Sequence, residues 1–307
     1  MNSNNAAPAS AAASASADVT GERRHLMSVA FRMLGTVAEA EDAVQEAYAR
    51  WYRLAEPERA AIEAPAGWLT RVTSRICLDM LGSARARHEN YVGPWLPEPV
   101  PPTEFPADPV DKVALDDTVS AALLVVLESM TPAERVVFVL HDVFAVPFGE
   151  IAETVGRSPA ACRQLAASAR RRVRAFGSRL VPRGEHERVV RSFGVAANSG
   201  DLTALIRSLD PGAVLRTDGG GVTRAALNEV VGADRVARFL TGIIGKRPDL
   251  QLRETETSEG PALAMHENGH VVGIITFEAT PGGITGVSMI LNPNKLTRWN
   301  TPVSPSL

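Results

Sequence analysis

The chain is poor in cysteine, lysine and aromatic residues, and each shortage excludes something. Cys77 and Cys162 are its only cysteines. They stand far apart without ligand-like spacing, which argues against a disulfide framework or a zinc site. No metal or other cofactor is expected, and a reducing cytoplasm is the expected location. No apolar run reaches the length of a bilayer-spanning helix, so no membrane partner is expected. The first 17 residues are almost entirely Asn, Ala, Ser and Pro, without the basic start and Leu-rich centre of a secretory signal. They read as a disordered tail. Of 32 basic residues only Lys112, Lys246 and Lys295 are lysines, so nearly all positive charge sits on planar guanidinium groups that fork phosphates.

The rest of the composition is that of a soluble globular protein. Hydrophobic residues make up 45%, charged residues 22%, and the formal net charge is −3. Those values exclude a wholly disordered or membrane-embedded chain. A length of 307 residues suggests about two or three domains.

Hydrophobic periodicity divides the chain. Between Leu26 and Leu81 apolar residues recur at helical spacing: Leu26, Ala30, Met33 and Val37, then Val44, Ala47, Tyr48 and Trp51, then Leu69, Val72, Ile76 and Met80. This predicts a small all-helical bundle. From Tyr91 to Pro109 seven prolines remove backbone donors and favour an extended linker. Leu115, Val119, Ala122, Val126 and Met130 restart the helical period, and three short helices then run to about Leu180. After Gly184 two amphipathic helices precede a short strand, Ala213–Thr217, and a helix comes next around Val236, Phe239 and Ile243. Strand-like runs then lie at about 250–257, 261–266, 270–278 and 284–291. Asn268-Gly269 and Pro281-Gly282-Gly283 supply the hairpin turns. Helices followed by a meander of strands predict an α+β domain with a curved antiparallel sheet wrapped on helices.

The second helical domain carries a helix-turn-helix pattern. Phe148, Ile151, Ala152 and Val155 form one short apolar face, Gly156-Arg157 turns, and Ser158-Pro159 is an N-cap followed by proline in the first helical position. The next helix buries Cys162, Leu165, Ala166, Ala169 and Val173, leaving Ala160, Arg163, Gln164 and Ala167 on the opposite face. Arg can fork guanine, Gln can fork adenine, and small Ala residues permit close approach to a major groove. Arg163 and Gln164 are therefore candidate base readers. Arg170, Arg171, Arg172 and Arg174 lie further along and suit phosphates. Eight arginines and no acid between Arg157 and Arg183 agree with nucleic acid as the partner.

The first domain differs. With Val44, Ala47, Tyr48 and Trp51 inward, Asp42, Gln45, Glu46 and Ala49 face out as an acidic strip that repels DNA and suits a basic protein. On its third helix Thr70, Arg71, Ser74 and Arg75 are read as a polar-basic strip beside Trp68, with Arg85 and Arg87 beyond. That combination suits single-stranded DNA.

DAVQEAY, GWLTRVTSRICLDML and SPAACRQLAASARRRVRA together make the chain resemble a bacterial extracytoplasmic-function (ECF) sigma factor, the reduced form with only region 2 and region 4. The resemblance covers about residues 20–180, and the segment after it resembles a SnoaL-like domain of the NTF2-like superfamily. Trp95–Pro99, the turn Asp218–Gly221 and Asn292-Pro293-Asn294-Lys295-Leu296 resemble hallmarks of the subgroup in which that domain is fused. Val222 departs from the lysine usual after the glycine turn, and Arg75 replaces a common Asn.

The resemblance implies a multidomain fold. Residues 1–19 are a disordered tail, 20–90 the region 2 helical bundle, 91–112 a Pro-rich linker and 113–182 the region 4 helix-turn-helix domain. Residues 185–296 are a SnoaL-like α+β cone and 297–307 a tail. It implies that Asp42, Gln45 and Glu46 bind the β′ clamp helices of core RNA polymerase, with the β flap a further contact. Promoter DNA is the other partner. Trp68, Thr70, Arg71, Ser74 and Arg75 would hold the −10 element, and Ser158, Ala160, Arg163, Gln164, Arg170 and Arg171 the −35 element. Trp95, Leu96 and Pro97, together with Asp218, Gly219, Gly220, Gly221, Asn292, Pro293 and Lys295, would form a regulatory contact between linker and C-terminal domain.

Net charge supports a division of labour, because few basic residues outside one helix give too little counterion release for tight independent DNA binding. Two other readings fit parts of the chain: a helix-turn-helix regulator that binds DNA without polymerase, and a cavity enzyme using Asp218, His266, His270 or Glu278. A small-molecule ligand in the C-terminal cavity is left open. The His residues flank a hairpin tip and Asp218 starts a glycine turn, so catalysis is not expected.

Overall fold

The computed structural model describes residues 21–88, 91–102, 126–177, 181–258 and 260–301, without the side chains of 84–88. The expected tails at 1–19 and 302–307, the second half of the linker, Leu115 to Ala122 and the side chains of Arg85 and Arg87 lie outside the described residues. Contacts divide the described chain into two compact units, residues 21–83 with 132–166, and the remainder of 84–131 with 167–301.

In the first unit, helix α1 (Arg23–Leu34) ends at Gly35, whose left-handed backbone returns its N–H to the Phe31 carbonyl. Thr36 then caps α2 (Val37–Arg53), its hydroxyl accepting from the Glu39 N–H. Val37, Ala40, Ala43, Val44, Ala47 and Trp51 are buried, and the small residues let α1 pack closely. A short helix α3 (Glu56–Ala60) leads to the long α4 (Pro65–His88), whose Leu69, Ile76, Cys77 and Leu81 point inward. The helical period is the expected one, but on α4 Cys77 and Leu81 are buried where Val72 and Met80 were expected, and those two are half-buried, as is Tyr48 on α2.

The helices of 132–166 belong to the same unit, so the two expected helical domains pack as one body. Helix α5 (Pro132–Phe138) runs into a π-helical turn, Val139–Val143, and α6 (Phe148–Val155) ends on Gly156 at φ 66°. Helix α7 (Pro159–Gly177) comes next. The unit's core combines Leu26, Met33, Leu69, Leu140 and Ile151, all fully or nearly fully buried.

In the second unit α8 (Arg183–Ser199) and α9 (Leu202–Ser208) precede β1 (Leu209–Asp218), and β2 (Val230–Val231) leads into α10 (Ala233–Ile244). Strands β3 (Gln251–Thr257), β4 (Gly260–Glu267), β5 (His270–Thr280) and β6 (Gly283–Ile290) complete a six-stranded sheet ordered β2-β1-β6-β5-β4-β3. Every pairing is antiparallel except β1 with β6. Strand β1 starts earlier than Ala213 because Leu209 already pairs with Ile284, and after a register shift across Pro211 and Gly212 the pairing with β6 resumes at Val214. Asn268 and Gly269, both at positive φ, make the two-residue turn between β4 and β5.

Alternation along the strands sends Leu215, Leu263, Met265, Ile275, Phe277, Val287 and Met289 towards Phe193, Leu205 and Leu240 of the helices. Apolar side chains thus fill the space between sheet and helices. Phe193 meets Phe277 edge-on at 4.9 Å. Phe193 is fully buried, so Phe193→Ala is expected to destabilise this unit by about 3–5 kcal/mol, read as a lower denaturant midpoint in the sheet signal.

The opposite sheet face carries a smaller cluster, Ala262, Ala264, Val271, Ile274 and Leu296, with Trp299 against it. Here the expected tail at 297–307 is corrected. Helix α11 (Thr297–Asn300) is anchored to the sheet, with Asn300 exchanging hydrogen bonds with the Val271 backbone at 2.9 Å in each direction. An amide that satisfies both groups of an outer β5 residue holds the chain there.

Candidate functional site

The helix-turn-helix is built as the local sequence demands. Ile151, Ala152 and Val155 are buried along α6, and Cys162, Ala166 and Ala169 along α7. The Ser158 hydroxyl accepts the Ala161 N–H at 3.2 Å as the N-cap of α7. Ser158, Ala160, Arg163 and Gln164 are exposed, so the face expected to read bases is presented together. The Arg163 guanidinium lies 5.9 Å from the Phe148 ring centroid. Further along, Arg171 is exposed and Arg170 half-buried, while Arg172 donates to the Ser129 carbonyl at 2.9 Å.

On α2, Asp42 and Gln45 are exposed and Glu46 is half-buried. The strip is less acidic than its sequence implies. Glu46 pairs with Arg50 at 2.8 Å and Arg53 at 3.7 Å, and the Arg50 hydrogen bond holds its carboxyl below the usual range.

The expected strip on α4 is only partly formed. Ser74 is fully buried and donates to the Thr70 carbonyl at 2.7 Å, so it is removed from the solvent-facing set. Its hydroxyl finds a backbone acceptor one turn back, which makes the inward position tolerable. Thr70 is half-buried and bonded in the same way to Ala66. Trp68 is half-buried against Trp51, with ring centroids 5.3 Å apart. Arg71 and Arg75 are exposed, but neither points into empty solvent. Arg71 pairs with Glu153, and Arg75 donates to the Thr154 carbonyl at 3.0 Å, both acceptors on α6.

The linker site lies in the second unit and centres on Asp218, at the end of β1, with no exposed surface. Its Oδ1 accepts from Tyr91 Oη at 2.6 Å and the Gly220 N–H at 3.0 Å. Its Oδ2 accepts from the Leu96 N–H at 3.0 Å and Lys295 Nζ at 2.8 Å. Lys295 also donates to the Leu96 carbonyl and sits 4.1 Å from the Trp95 ring centroid. Burial pulls its ammonium below the usual range, and Asp218 opposes that shift. Burial, then the Asp218 carboxylate, push the Tyr91 phenol up.

Geometry explains the glycines. A Cβ on Gly219 would lie 2.2 Å from the Thr223 carbonyl oxygen. One on Gly220, at φ 64°, would strike the Asn292 side chain at 2.4 Å. Gly221 packs on Val92. Asn292 Nδ2 donates to Tyr91 Oη at 3.0 Å, while its Oδ1 caps the 3-10 turn Pro293–Lys295. Pro293 is exposed and begins that turn, and Pro97 is half-buried. Leu96, Glu98 and Val100 are buried, so the linker's first half is docked along its length.

Four participants were missed from sequence: Tyr91, Ser258, Trp299 and Asn300. Trp299 Nε1 donates to the Pro99 carbonyl at 2.6 Å and the Ser258 N–H to the Val100 carbonyl at 2.9 Å. Tyr91 beside the prolines was the one available signal. Among the described residues no group of His, Cys, Asp and Glu could hold a metal ion, and no helix is long and apolar enough to cross a membrane.

A helical module with an acidic outer strip, a helix-turn-helix with an arginine-rich second helix, and a fused α+β domain define the class: a sigma-type initiation subunit of two helical modules. Comparison with known proteins agrees. Residues 19–87 match the Sigma-70 region 2 family and residues 120–173 the Sigma-70 region 4 family. The chain is 45% identical to the ECF RNA polymerase sigma factor SigJ of Mycobacterium tuberculosis over 72% of this chain and 70% of the relative. It is 38% identical to the probable ECF sigma factor SigI of the same species, over 89% and 92%. The crystal structure of M. tuberculosis SigJ superposes with a TM-score of 0.70 at 35% identity, covering 94% of this chain and 99% of that one. The chain belongs to the ECF RNA polymerase sigma factor family, whose general work is to join core RNA polymerase to promoter DNA.

Lys295→Met leaves the Asp218 charge buried and unpaired, which is expected to cost about 3–5 kcal/mol. The linker should then become cleavable by chymotrypsin after Tyr91 and Trp95. Adding Asp218→Asn should restore much of the protection.

Proposed function

We propose that this sigma factor reads the −35 element with Ser158, Ala160, Arg163 and Gln164 and holds the −10 element with Trp68, Thr70, Arg71 and Arg75. Asp42, Gln45 and Glu46 engage the β′ clamp helices of core polymerase in the cytoplasm, and region 4 meets the β flap. The observation that carries this reading is the exposed face of α7, where the four candidate readers stand together while Cys162, Ala166 and Ala169 anchor the helix behind them. Arg170 and Arg171 then supply phosphate contacts.

The C-terminal domain acts as a regulator of the linker rather than as an enzyme. Its Asp218 is spent on four donors, and buried apolar side chains pack between sheet and helices. His270 is exposed at the hairpin tip and His266 half-buried beside it. By fixing Tyr91 to Val100, the domain sets how much linker is available to separate the two readers. Val222, at 70% exposure, takes no part in the clasp, consistent with the loss of a lysine there.

Purified chain should retain core polymerase, and Asp42→Arg with Glu46→Arg should abolish the retention. In run-off transcription, Arg163→Ala is expected to cost about 1–3 kcal/mol and relax preference at one −35 base pair. Arg171→Ala should weaken all sequences alike and reduce the salt slope by about 1. Tight duplex binding without polymerase would instead favour an autonomous regulator.

A further inference from the structure

The loop that leads into α6 builds an aromatic stack beneath the candidate reader Arg163. The π-helical turn Val139–Val143 closes when the Phe144 N–H reaches the Val139 carbonyl at 3.2 Å, and the Val146 N–H then turns back to the Leu140 carbonyl at 2.9 Å. Between them Ala145 is held at φ 55°, a left-handed backbone that a residue with a Cβ adopts only under constraint. His141 locks the turn, its Nδ1–H donating to the Val146 carbonyl at 2.9 Å. That bond fixes the imidazole plane. The Phe148 ring lies on it, with centroids 3.8 Å apart and planes 31° from parallel. Phe148 is the first residue of α6 and is half-buried.

Arg163, one helix later, places its guanidinium over this ring. A cation above a ring face is drawn to the negative quadrupole, and the attraction leaves the N–H edge of the guanidinium free. Among the described residues no hydrogen bond or ion pair takes up the Arg163 N–H groups. An ion pair works differently. Asp234 holds Arg238 by the N–H groups themselves, so the fork is occupied by the contact that orders it. Stacking orders Arg163 and keeps its fork. An exposed arginine without such support samples many rotamers, and ordering them on DNA opposes binding. A bidentate contact to a base edge depends on the plane of the guanidinium, so whatever fixes that plane favours the correct base over the others.

We infer that Phe148, backed by His141, is a positioning residue for −35 recognition, its ring being the footing that orients the Arg163 guanidinium towards one base pair. The inference rests on the proposed base-reading role of Arg163. The ring carries no charge, so its loss alters discrimination among bases and leaves the counterion release of the arginines as it is.

The test is run-off transcription by the full chain with core polymerase, on promoters altered one base pair at a time through the −35 element. Phe148→Leu keeps an apolar side chain at the start of α6, and pentafluorophenylalanine at position 148 keeps the shape of the ring while reversing its quadrupole. Each is expected to reduce preference at the Arg163 base pair about two- to fivefold, the range of a solvent-exposed cation–π contact. Preference at the other −35 positions, the salt slope and retention by core polymerase should stay at wild-type values. Phe148→Tyr, which keeps the ring and its quadrupole, should keep the preference. In an Arg163→Ala background Phe148→Leu should have no further effect on that preference, because the reader it orients is gone. Wild-type preference in the fluorinated chain would overturn the footing, whatever Phe148→Leu does. An equal loss at every −35 position, or a full effect of Phe148→Leu without Arg163, would overturn it too. Wild-type preference in Arg163→Ala would instead remove the base-reading role, and the footing with it.

Discussion

The second unit is organised around one fully buried carboxylate. Asp218 has no access to water, and an unpaired charge in that position would cost several kcal/mol, so its four donors are a requirement. Those donors come from three segments remote in sequence: Tyr91 and Leu96, Gly220, and Lys295. Satisfying one side chain therefore fixes the linker, the glycine turn and the segment after β6 at once. The glycines follow from the same need, since Gly220 must turn back to donate to Asp218 while leaving room for Asn292.

This constraint also accounts for how a linker without secondary structure can be buried. Backbone groups taken from water need partners, and prolines reduce the number of donors to satisfy. Pro94, Pro97 and Pro99 have no N–H, Leu96 gives its N–H to Asp218, and the carbonyls of Leu96, Pro99 and Val100 accept from Lys295, Trp299 and Ser258. A proline-rich segment is thus well suited to lie on a protein surface prepared for it. Its docked state belongs to the C-terminal domain as much as to the linker.

Legibility from sequence tracks the range of each interaction. Helical periods, the Ser158-Pro159 cap, the Gly156 turn and the Asn268-Gly269 hairpin are local, and the structure places each where the residues predict. The hallmark residues around Asp218 and Lys295 were available only through resemblance. Their pairing joins positions 77 apart, with no local signal. Ser74 was misplaced because a polar residue on a helix reads as exposed, yet an i−4 carbonyl satisfies its hydroxyl inside. Trp299 and Asn300 were assigned to a tail because four residues form too short a helix to show a period, and their partners are backbone atoms of Pro99 and Val271.

Backbone carbonyls are the acceptors that sequence hides best, because every residue carries one. Among the described residues, cations that reach a backbone carbonyl remote in sequence include Arg75 on Thr154, Arg135 on Met33, Arg172 on Ser129 and Lys295 on Leu96. Burial sorts their roles. Arg135 and Lys295 are about 5% exposed, so no phosphate can reach them without unfolding what covers them, and they act as fixed anchors. Arg75 keeps half of its side-chain surface in solvent. A neutral carbonyl is a weaker acceptor for an exposed guanidinium than an ionised group offering two oxygens, so this contact is held less firmly than the buried ones. The same chemistry therefore makes permanent joints where water is excluded and a reversible one where it is not.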